Sequence, residues 1–433
     1  MTTTVTMASN DRAFRPPLPL AQPSPPPFPV IAAHFGAGFG WLLLGSAGVV
    51  WLAPVLAQGS FLDPRLLAVT HLFTLGWLTT VITGVLYQIF PAMLGVSARS
   101  VRVARLSFVA QALGTALLAV GLLTGHGALA AAGWTVLFLA VFGTAWNLLP
   151  QRRRAPRNQQ LGIYVSYAHM GFGLAMGVAG TRIGDALGWW TTPRLGLIAA
   201  HFHLAAVGFA TMTAFGVGSR MIPMFLGSRD SAEWPHRWLP RILASGTVVF
   251  SIGMIGTLPA AAWAGAVIMA GGAALFLWCG ARWFRGRARR ALDPATGLIL
   301  AALSWLALAI PLGFDALARG LSRPAVLTSY AVILILGWLT ALVLGVSYRV
   351  LPTLTWHHRF AALAGKPGTP ALPDMVQPAF GWATLLLHSA GILAMTGGLH
   401  RSQPMLVQIG AGLFCAAVLA TGSHHLRLLL VGR

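Results

Sequence analysis

The chain alternates between long apolar stretches and short polar ones, and this alternation is its dominant pattern. A helix needs about 20 consecutive, mostly apolar residues to cross the hydrocarbon layer of a bilayer. Twelve stretches meet this requirement and predict twelve membrane-spanning helices. They lie near residues 31–57, 66–94, 102–123, 128–149, 161–181, 195–226, 239–258, 261–283, 296–318, 325–355, 377–397 and 404–431.

One motif recurs in the second, sixth and tenth of these stretches, which indicates a threefold internal repeat. The first two copies begin with His71 and His203, and the third begins with Val332 at the same position. The repeat predicts three pseudo-symmetric four-helix units, at about 31–150, 160–285 and 296–431. The copies read His71-x4-Gly76-Trp77-x-Thr79-x4-Gly84-x6-Pro91, His203-x4-Gly208-Phe209-x-Thr211-x4-Gly216-x6-Pro223 and Val332-x4-Gly337-Trp338-x-Thr340-x4-Gly345-x6-Pro352.

On a regular α-helix the glycines and the proline of the first motif lie on the face opposite His71. Glycine lets helix backbones approach closely in lipid, so these positions are interpreted as helix-packing sites. The histidine position changes between units while the packing positions do not. The pattern therefore predicts a repeated fold whose chemistry is confined to part of the repeat.

Composition supports a membrane protein, because 56% of the 433 residues are hydrophobic and only 9% are charged. The fold class predicted is an all-α integral membrane protein with a single membrane domain at 29–433. Residues 1–28 are rich in Pro, Ser and Thr and cannot form a core, so they are predicted to be a disordered cytoplasmic tail. The two cysteines lie in apolar helices and suggest no disulfide or metal motif.

Most of the 29 Lys and Arg residues fall in alternate loops and at the two termini. The positive-inside rule then places both termini in the cytoplasm of a bacterial cell, with the chain in the inner membrane. The net charge of +21 is interpreted as this topology signal plus attraction to anionic lipid headgroups, and nucleic-acid binding is not inferred from it. The other loops hold Arg65, Arg182, Arg194, Arg319, Arg323 and Arg401.

No carboxylate falls in the middle of a predicted span. Asp63, Asp185 and Asp315 occupy equivalent loops of the three units, on the predicted outer side. Proton pumps commonly keep intramembrane Asp or Glu as relay groups, so this placement argues against proton pumping.

Six histidines lie inside predicted spans, and each must have its ring nitrogens satisfied there. Imidazole can ligate haem iron or copper, which gives these residues a possible cofactor role. The six are His34, His71, His169, His201, His203 and His388. The other seven are expected to be ordinary surface or interfacial groups: His126, His236, His357, His358, His400, His424 and His425.

His71 and His203 are the first candidate ligands, because they occupy equivalent motif positions. His34 and His169 are treated as a second related pair, from His34-Phe-Gly-Ala-Gly and His169-Met-Gly-Phe-Gly. His201 is a further metal candidate, although it projects about 200° away from His203 on a regular helix and is not expected to share its metal. For every candidate the alternative is a histidine that hydrogen-bonds to a facing helix.

The twelve helices in three groups of four, with histidine near the start of the second and sixth helices, resemble subunit I of the haem-copper oxidase superfamily. The segment Ala200-His-Phe-His-Leu through Arg220-Met-Ile-Pro-Met-Phe resembles the sixth helix of that group, in its C-type oxidase, nitric oxide reductase or NnrS-type branches. The resemblance covers about residues 31–431. It implies haem binding by His71 and binding of the active-site metal by His203.

The resemblance breaks at the remaining ligands. The family carries a His-His pair on its seventh helix and a His-x-His on its tenth, whereas the seventh span here has no histidine and the tenth carries Val332 at the motif position. Val207 also stands where the family has its helix-six tyrosine. A complete binuclear oxidase centre is therefore not expected.

Two hypotheses follow. The first is a haem- or copper-binding membrane protein that serves in nitric oxide, oxygen or copper handling or in membrane electron transfer and does not pump protons. Its partners would be the lipid bilayer and nitric oxide, oxygen or a redox protein, with oxidoreductase activity left open. The second is a cofactor-free permease or assembly factor that uses its histidines for helix packing.

Overall fold

A computed structural model describes residues 25–154, 158–186, 194–229, 233–288, 291–428 and 430–431. The described residues form helices and no strand, and twelve helices are long and apolar enough to span a membrane. The twelve spans predicted from the sequence are confirmed. In chain order, α1 to α12 are Phe28–Trp51, Pro64–Leu94, Val101–Thr124, Gly127–Arg152, Gln159–Thr181, Leu195–Leu226, Trp234–Ile255, Pro259–Arg285, Pro294–Arg319, Pro324–Leu363, Pro378–His400 and Pro404–Leu428.

The predicted tail of residues 1–28 lies mostly outside the described residues, which begin at residue 25, and Phe28 already belongs to α1. Asp11 and Asp230 and the side chain of Asp185 are also outside the described part.

Helix starts follow from local capping chemistry. The side chain of Asp63 accepts a hydrogen bond from the backbone N–H of Arg65, and Asp293 accepts one from the N–H of Thr296. These bonds satisfy amide groups that have no partner within the helix. The side chain of Arg65 also hydrogen-bonds Asp63 and lowers the pKa of that carboxyl to about 2. The Asp63 cap is therefore ionised at every physiological pH.

Each copy of the repeated motif contains a stretch of π-helix, with backbone hydrogen bonds to the fifth residue instead of the fourth. These π segments are Leu72–Thr79, Leu204–Thr211 and Ile333–Thr340, and each starts directly after His71, His203 or Val332. A π-helix has more residues per turn than an α-helix. The angles of a regular α-helix therefore do not apply across the π segment, but the prediction that the motif glycines are helix-packing sites agrees with the structure. In the structure both Gly76 and Gly84 pack against α1, on Trp41 and His34.

Wide π turns leave carbonyl groups that can accept a further hydrogen bond, and two of them receive it from the third helix of their own unit. Gln111 on α3 donates to the Leu75 carbonyl at 3.0 Å, and His388 on α11 donates through Nε2 to the Leu336 carbonyl at 2.9 Å. Leu75 and Leu336 are equivalent positions of the motif. The buried polar side chains opposite them are explained by this contact.

The three motif helices α2, α6 and α10 meet along the centre of the bundle through their π segments. Here the indole N–H of Trp338 donates to the hydroxyl of Thr211 at 3.1 Å, which ties the third unit to the second. The remaining helices surround this centre. The last helix of one unit contacts the first helix of another at three interfaces, α4 with α5, α8 with α9 and α12 with α1.

The third and fourth helices of each unit form a tight hairpin built on glycine. A Cβ at Gly133 would meet the backbone nitrogen of Leu118 on α3, and a Cβ at Gly265 would meet that of Phe250 on α7. At Gly410 the corresponding distance, to the backbone nitrogen of Met395 on α11, is 2.5 Å. These contacts align the three hairpins residue by residue, so the repeat extends beyond the motif. Gly133 and Gly265 lie equally far along the chain from the first motif residue, but Gly410 lies further from Val332, so sequence spacing alone does not show this alignment.

Candidate functional site

His203 lies at the end of the α-helical part of α6, just before the second π segment. Its Nδ1 donates to the Ala199 carbonyl at 2.8 Å, which leaves Nε2 as the accepting nitrogen. The hydroxyl of Tyr330 on α10 donates to that Nε2 at 3.1 Å. The ring of Phe250 on α7 packs on the imidazole, with centroids 4.2 Å apart. His203 is therefore a hydrogen-bonded residue at the contact between the second and third units.

A cavity of about 420 Å³ lies beside His203, between α6, α7 and α8 of the second unit and α9 and α10 of the third. Its walls are almost entirely apolar. The side-chain polar groups on its lining come from His203, Thr211 and Tyr330. The volume falls in the range of small-molecule sites in proteins.

His71 faces His201 rather than His203. The two imidazole centroids are 6.3 Å apart and the ring planes are inclined by 33°. Nδ1 of His71 donates to the Leu67 carbonyl at 2.7 Å, and Nδ1 of His201 donates across to the Ala175 carbonyl of α5 at 2.9 Å. Nε2 is thus the remaining nitrogen on both rings, and it has no hydrogen-bond partner among the described residues.

His34 and His169 are not an equivalent pair, contrary to the sequence interpretation. Gly84 on α2 packs on His34, while its counterpart Gly216 on α6 packs on Tyr164. His34 therefore corresponds to Tyr164. His169 instead packs edge-on to Phe209, with centroids 6.3 Å apart.

Both side chains are held by local bonds. His34 Nδ1 donates to the Val30 carbonyl at 2.7 Å, and the ring packs on Phe108. His169 Nδ1 donates to the Val165 carbonyl at 2.8 Å. Each lies on the first helix of its unit, in a separate environment.

The candidate ligands therefore form separate groups. His71 meets His201, His203 meets Tyr330, and no three His, Cys, Asp or Glu side chains in the described ranges gather as a multi-ligand metal site would require. The expectation that His201 and His203 point to different places agrees with the structure. The expectation that the seven remaining histidines are surface or interfacial groups is wrong for His236, 6% exposed, and for His424, 1% exposed.

Charged side chains are kept at the ends of the helices. Arg349 on α10 forms an ion pair with Asp293, which also caps α9, and Arg319 pairs with Asp315 near the other end of that helix. Neither the His71–His201 pair nor the cavity has a carboxylate on it among the described residues. The described residues therefore place no anionic side chain at either position.

Tyr330 was not identified as a site residue from the sequence. It lies two residues before Val332, the one motif position without histidine, but neither its type nor its spacing distinguishes it from an ordinary aromatic residue of the core. Only the packing of α10 against α6 brings its hydroxyl to His203.

No protein-family model matches the chain, and no significant match is found among curated proteins. The resemblance to the haem-copper oxidases thus rests on the residues quoted for it, and function has to be argued from the site itself.

Proposed function

We propose that this protein binds a single copper ion between His71 and His201 and serves in copper handling or membrane electron transfer. The observation that carries the proposal is the approach of these two imidazoles from separate units. Each ring has its Nδ1–H fixed on a backbone carbonyl and its Nε2 left over. Metal-ligating histidines are commonly fixed in this way by a hydrogen bond from the second nitrogen.

The ring separation suits one metal atom. Metal–imidazole bonds are about 2.0–2.1 Å, so two imidazoles on opposite sides of one metal have ring centres about 6 Å apart. The observed separation of the centroids is 6.3 Å. His201 is anchored on a different helix, at Ala175, so its orientation does not follow from α6 alone.

Copper fits this pair better than haem. A porphyrin needs a flat space between its two axial ligands, and the large cavity of the structure lies beside His203 instead. Imidazole is a good ligand for copper. Two neutral nitrogens without a carboxylate favour the monovalent ion, because burying a single charge costs less than burying a double one. When bound, copper would supply a one-electron couple or an exchangeable Cu(I) ion.

The protein groups around the pair would hold and orient the ligands. The Leu67 and Ala175 carbonyls fix both rings in the tautomer that presents Nε2. A site with so few protein ligands leaves coordination positions open to an incoming donor, as catalytic metal sites do. This favours copper transfer among the possible roles. Proton pumping is not part of the proposal, since no carboxylate accompanies the pair.

We further propose that the chain lies in a bacterial inner membrane with both termini in the cytoplasm. The Arg-rich loops support this orientation through the positive-inside rule. His71 and His201 would then lie toward the outer side of the membrane, close to the loop that carries Asp63.

The test is the metal content of protein purified from cells supplied with copper and a haem precursor. We expect about one copper per chain and a Cu K-edge spectrum with imidazole nitrogen as the main ligand. His71→Asn and His201→Asn should each lose the copper, because asparagine keeps an N–H donor but lacks Nε2.

His34→Asn is the matched control, since His34 also lies in a span and donates to the carbonyl four residues before it. It should retain the copper. A chain that folds normally and holds neither copper nor haem would overturn the proposal and favour the cofactor-free permease or assembly factor. If a haem absorption band is present and disappears only when His203 is replaced, the cofactor is haem in the cavity rather than copper between His71 and His201.

A further inference from the structure

The cavity beside His203 lies at the interface of the second unit with the third, and comparison with the other two interfaces shows which residues leave it open. On α4 the residue after hairpin glycine Gly133 is Trp134, and on α8 the residue after Gly265 is Ala266. Trp134 fills the interface of α4 with α5, where it packs on Gly180 and donates to the Met176 carbonyl at 3.0 Å. The equivalent volume next to Ala266 is open.

Small residues line both long walls of the cavity and leave space between them. On α8 the lining residues Ala266, Ala270 and Ala273 follow the spacing of one helix face. The facing stripe on α9 has the same spacing. It consists of Ala309, Gly313 and Ala316. Next to the interface of α12 with α1, by contrast, large rings are present: Phe414 of α12 packs edge to face on Phe73 of α2, with ring centroids 6.0 Å apart.

The second unit also differs at its π segment. Where α3 and α11 place Gln111 and His388 opposite a π carbonyl, the equivalent residue of α7 is Leu243, which has no donor. Leu243 and Val207, which holds the equivalent carbonyl, both line the cavity. The second unit therefore lacks the side-chain donor that the other two units place on the equivalent carbonyl.

We propose that this cavity binds an isoprenoid quinone or quinol taken from the bilayer. The apolar walls suit a lipid-soluble molecule, and the polar groups on them suit a ring oxygen. When the Tyr330 hydroxyl donates to His203, the oxygen of that hydroxyl can accept a hydrogen bond from a quinol O–H. With that hydroxyl turned toward the ligand, it donates to a quinone carbonyl. The Tyr330–His203 pair can thus hydrogen-bond to either the quinone or the quinol. A lipid acyl chain has no polar group to hydrogen-bond to this pair.

Aromatic side chains surround this polar pair. Phe250 packs on His203, and the ring centroid of Phe202 is 5.9 Å from that of Tyr330. A flat ring gains offset or edge contacts from such neighbours. The ligand head is therefore placed beside Tyr330, with its tail along the alanine walls.

We place the entry of the ligand from the lipid between α8 and α9. Phe314 lines the cavity and stacks on Trp263, with centroids 6.1 Å apart and planes inclined by 7°. Trp263 is 40% exposed and lies on the outside of the bundle. The stacked pair stands at the side of the cavity that faces lipid, where a prenyl tail can pass between the helices.

The binding site does not rest on the copper proposal. His203 lines the cavity, while His71 and His201 do not. Loss of quinone binding and loss of copper are therefore separate outcomes, measured with separate variants.

The experiment uses full-length protein in detergent with decyl-ubiquinone as the probe. We expect saturable binding by equilibrium dialysis, and about one quinone per chain in solvent extracts of the purified protein. Ala266→Trp, which copies Trp134, should fill the cavity and abolish binding. Tyr330→Phe should weaken binding about tenfold, because it removes the hydroxyl and keeps the ring.

Ala264→Trp is the matched control, since this alanine lies on the exposed face of the same helix and should leave binding unchanged. Gel filtration and helical circular dichroism establish that each variant is folded, and Ala270→Phe replaces Ala266→Trp if the latter does not fold. Binding that survives filling of the cavity overturns the proposal. So does a cavity that retains phospholipid and no quinone, which would make it a lipid site.

Discussion

Replacing Gly410 with leucine is expected to destabilise the protein strongly by forcing two helices apart. A Cβ at Gly410 would lie 2.5 Å from the backbone nitrogen of Met395 and 2.7 Å from the carbonyl oxygen of Gly391, both on α11. Backbone atoms of a packed helix cannot rotate away as a side chain can, so α11 and α12 must separate. Overpacking of this kind costs about 3 kcal/mol or more.

The measurement is the midpoint of thermal unfolding in detergent, together with the yield of monodisperse protein. Gly412→Leu provides the comparison, because it changes the same helix two residues away where an added Cβ meets nothing within 4 Å. Leucine is the better helix former, so Gly412→Leu should be neutral or slightly stabilising. Equal stability of the two leucine variants would show that the hairpin contact is not the one described.

Replacing His388 with leucine is expected to lower stability somewhat less than Gly410→Leu. His388 is fully buried, and its Nε2 donates to the Leu336 carbonyl in the π segment of α10. Leucine removes the donor and leaves that carbonyl without its side-chain partner, which costs about 2–3 kcal/mol in a buried site. The same thermal unfolding assay measures the loss.

The chain itself supplies the rescuing variant. Gln111 makes the equivalent bond to Leu75 in the first unit, so His388→Gln should restore the hydrogen bond and stay within about 1 kcal/mol of the parent. Copper content should be unchanged in both variants. Copper loss in a well-folded His388→Gln protein would contradict the structural role assigned to this histidine.

Much of the architecture follows from local sequence. Long apolar stretches must be helical in lipid, because every backbone hydrogen bond has to be made within the segment. The spans could therefore be placed closely, and α2 was predicted at 66–94 and is found at Pro64–Leu94. The repeated motif likewise identified the three equivalent inner helices.

The candidate site could be predicted only in part. The opposite projection of His201 and His203 follows from helix geometry, but neither partner does: His201 meets His71, and His203 meets Tyr330. The proposed equivalence of His34 and His169 failed because similar local glycine patterns do not reveal which residues of the motif helix they contact.

By itself, the sequence determined that this chain has twelve segments long and apolar enough to cross a membrane, repeats one motif three times and carries histidine at two of the three motif positions. The tertiary structure alone decided the π segments, the His71–His201 contact and the cavity beside Ala266. The physical reason is that hydrophobicity acts on each segment separately. Contacts between helices depend on rotation and packing, which a single π turn or one Trp-to-Ala difference between units can change.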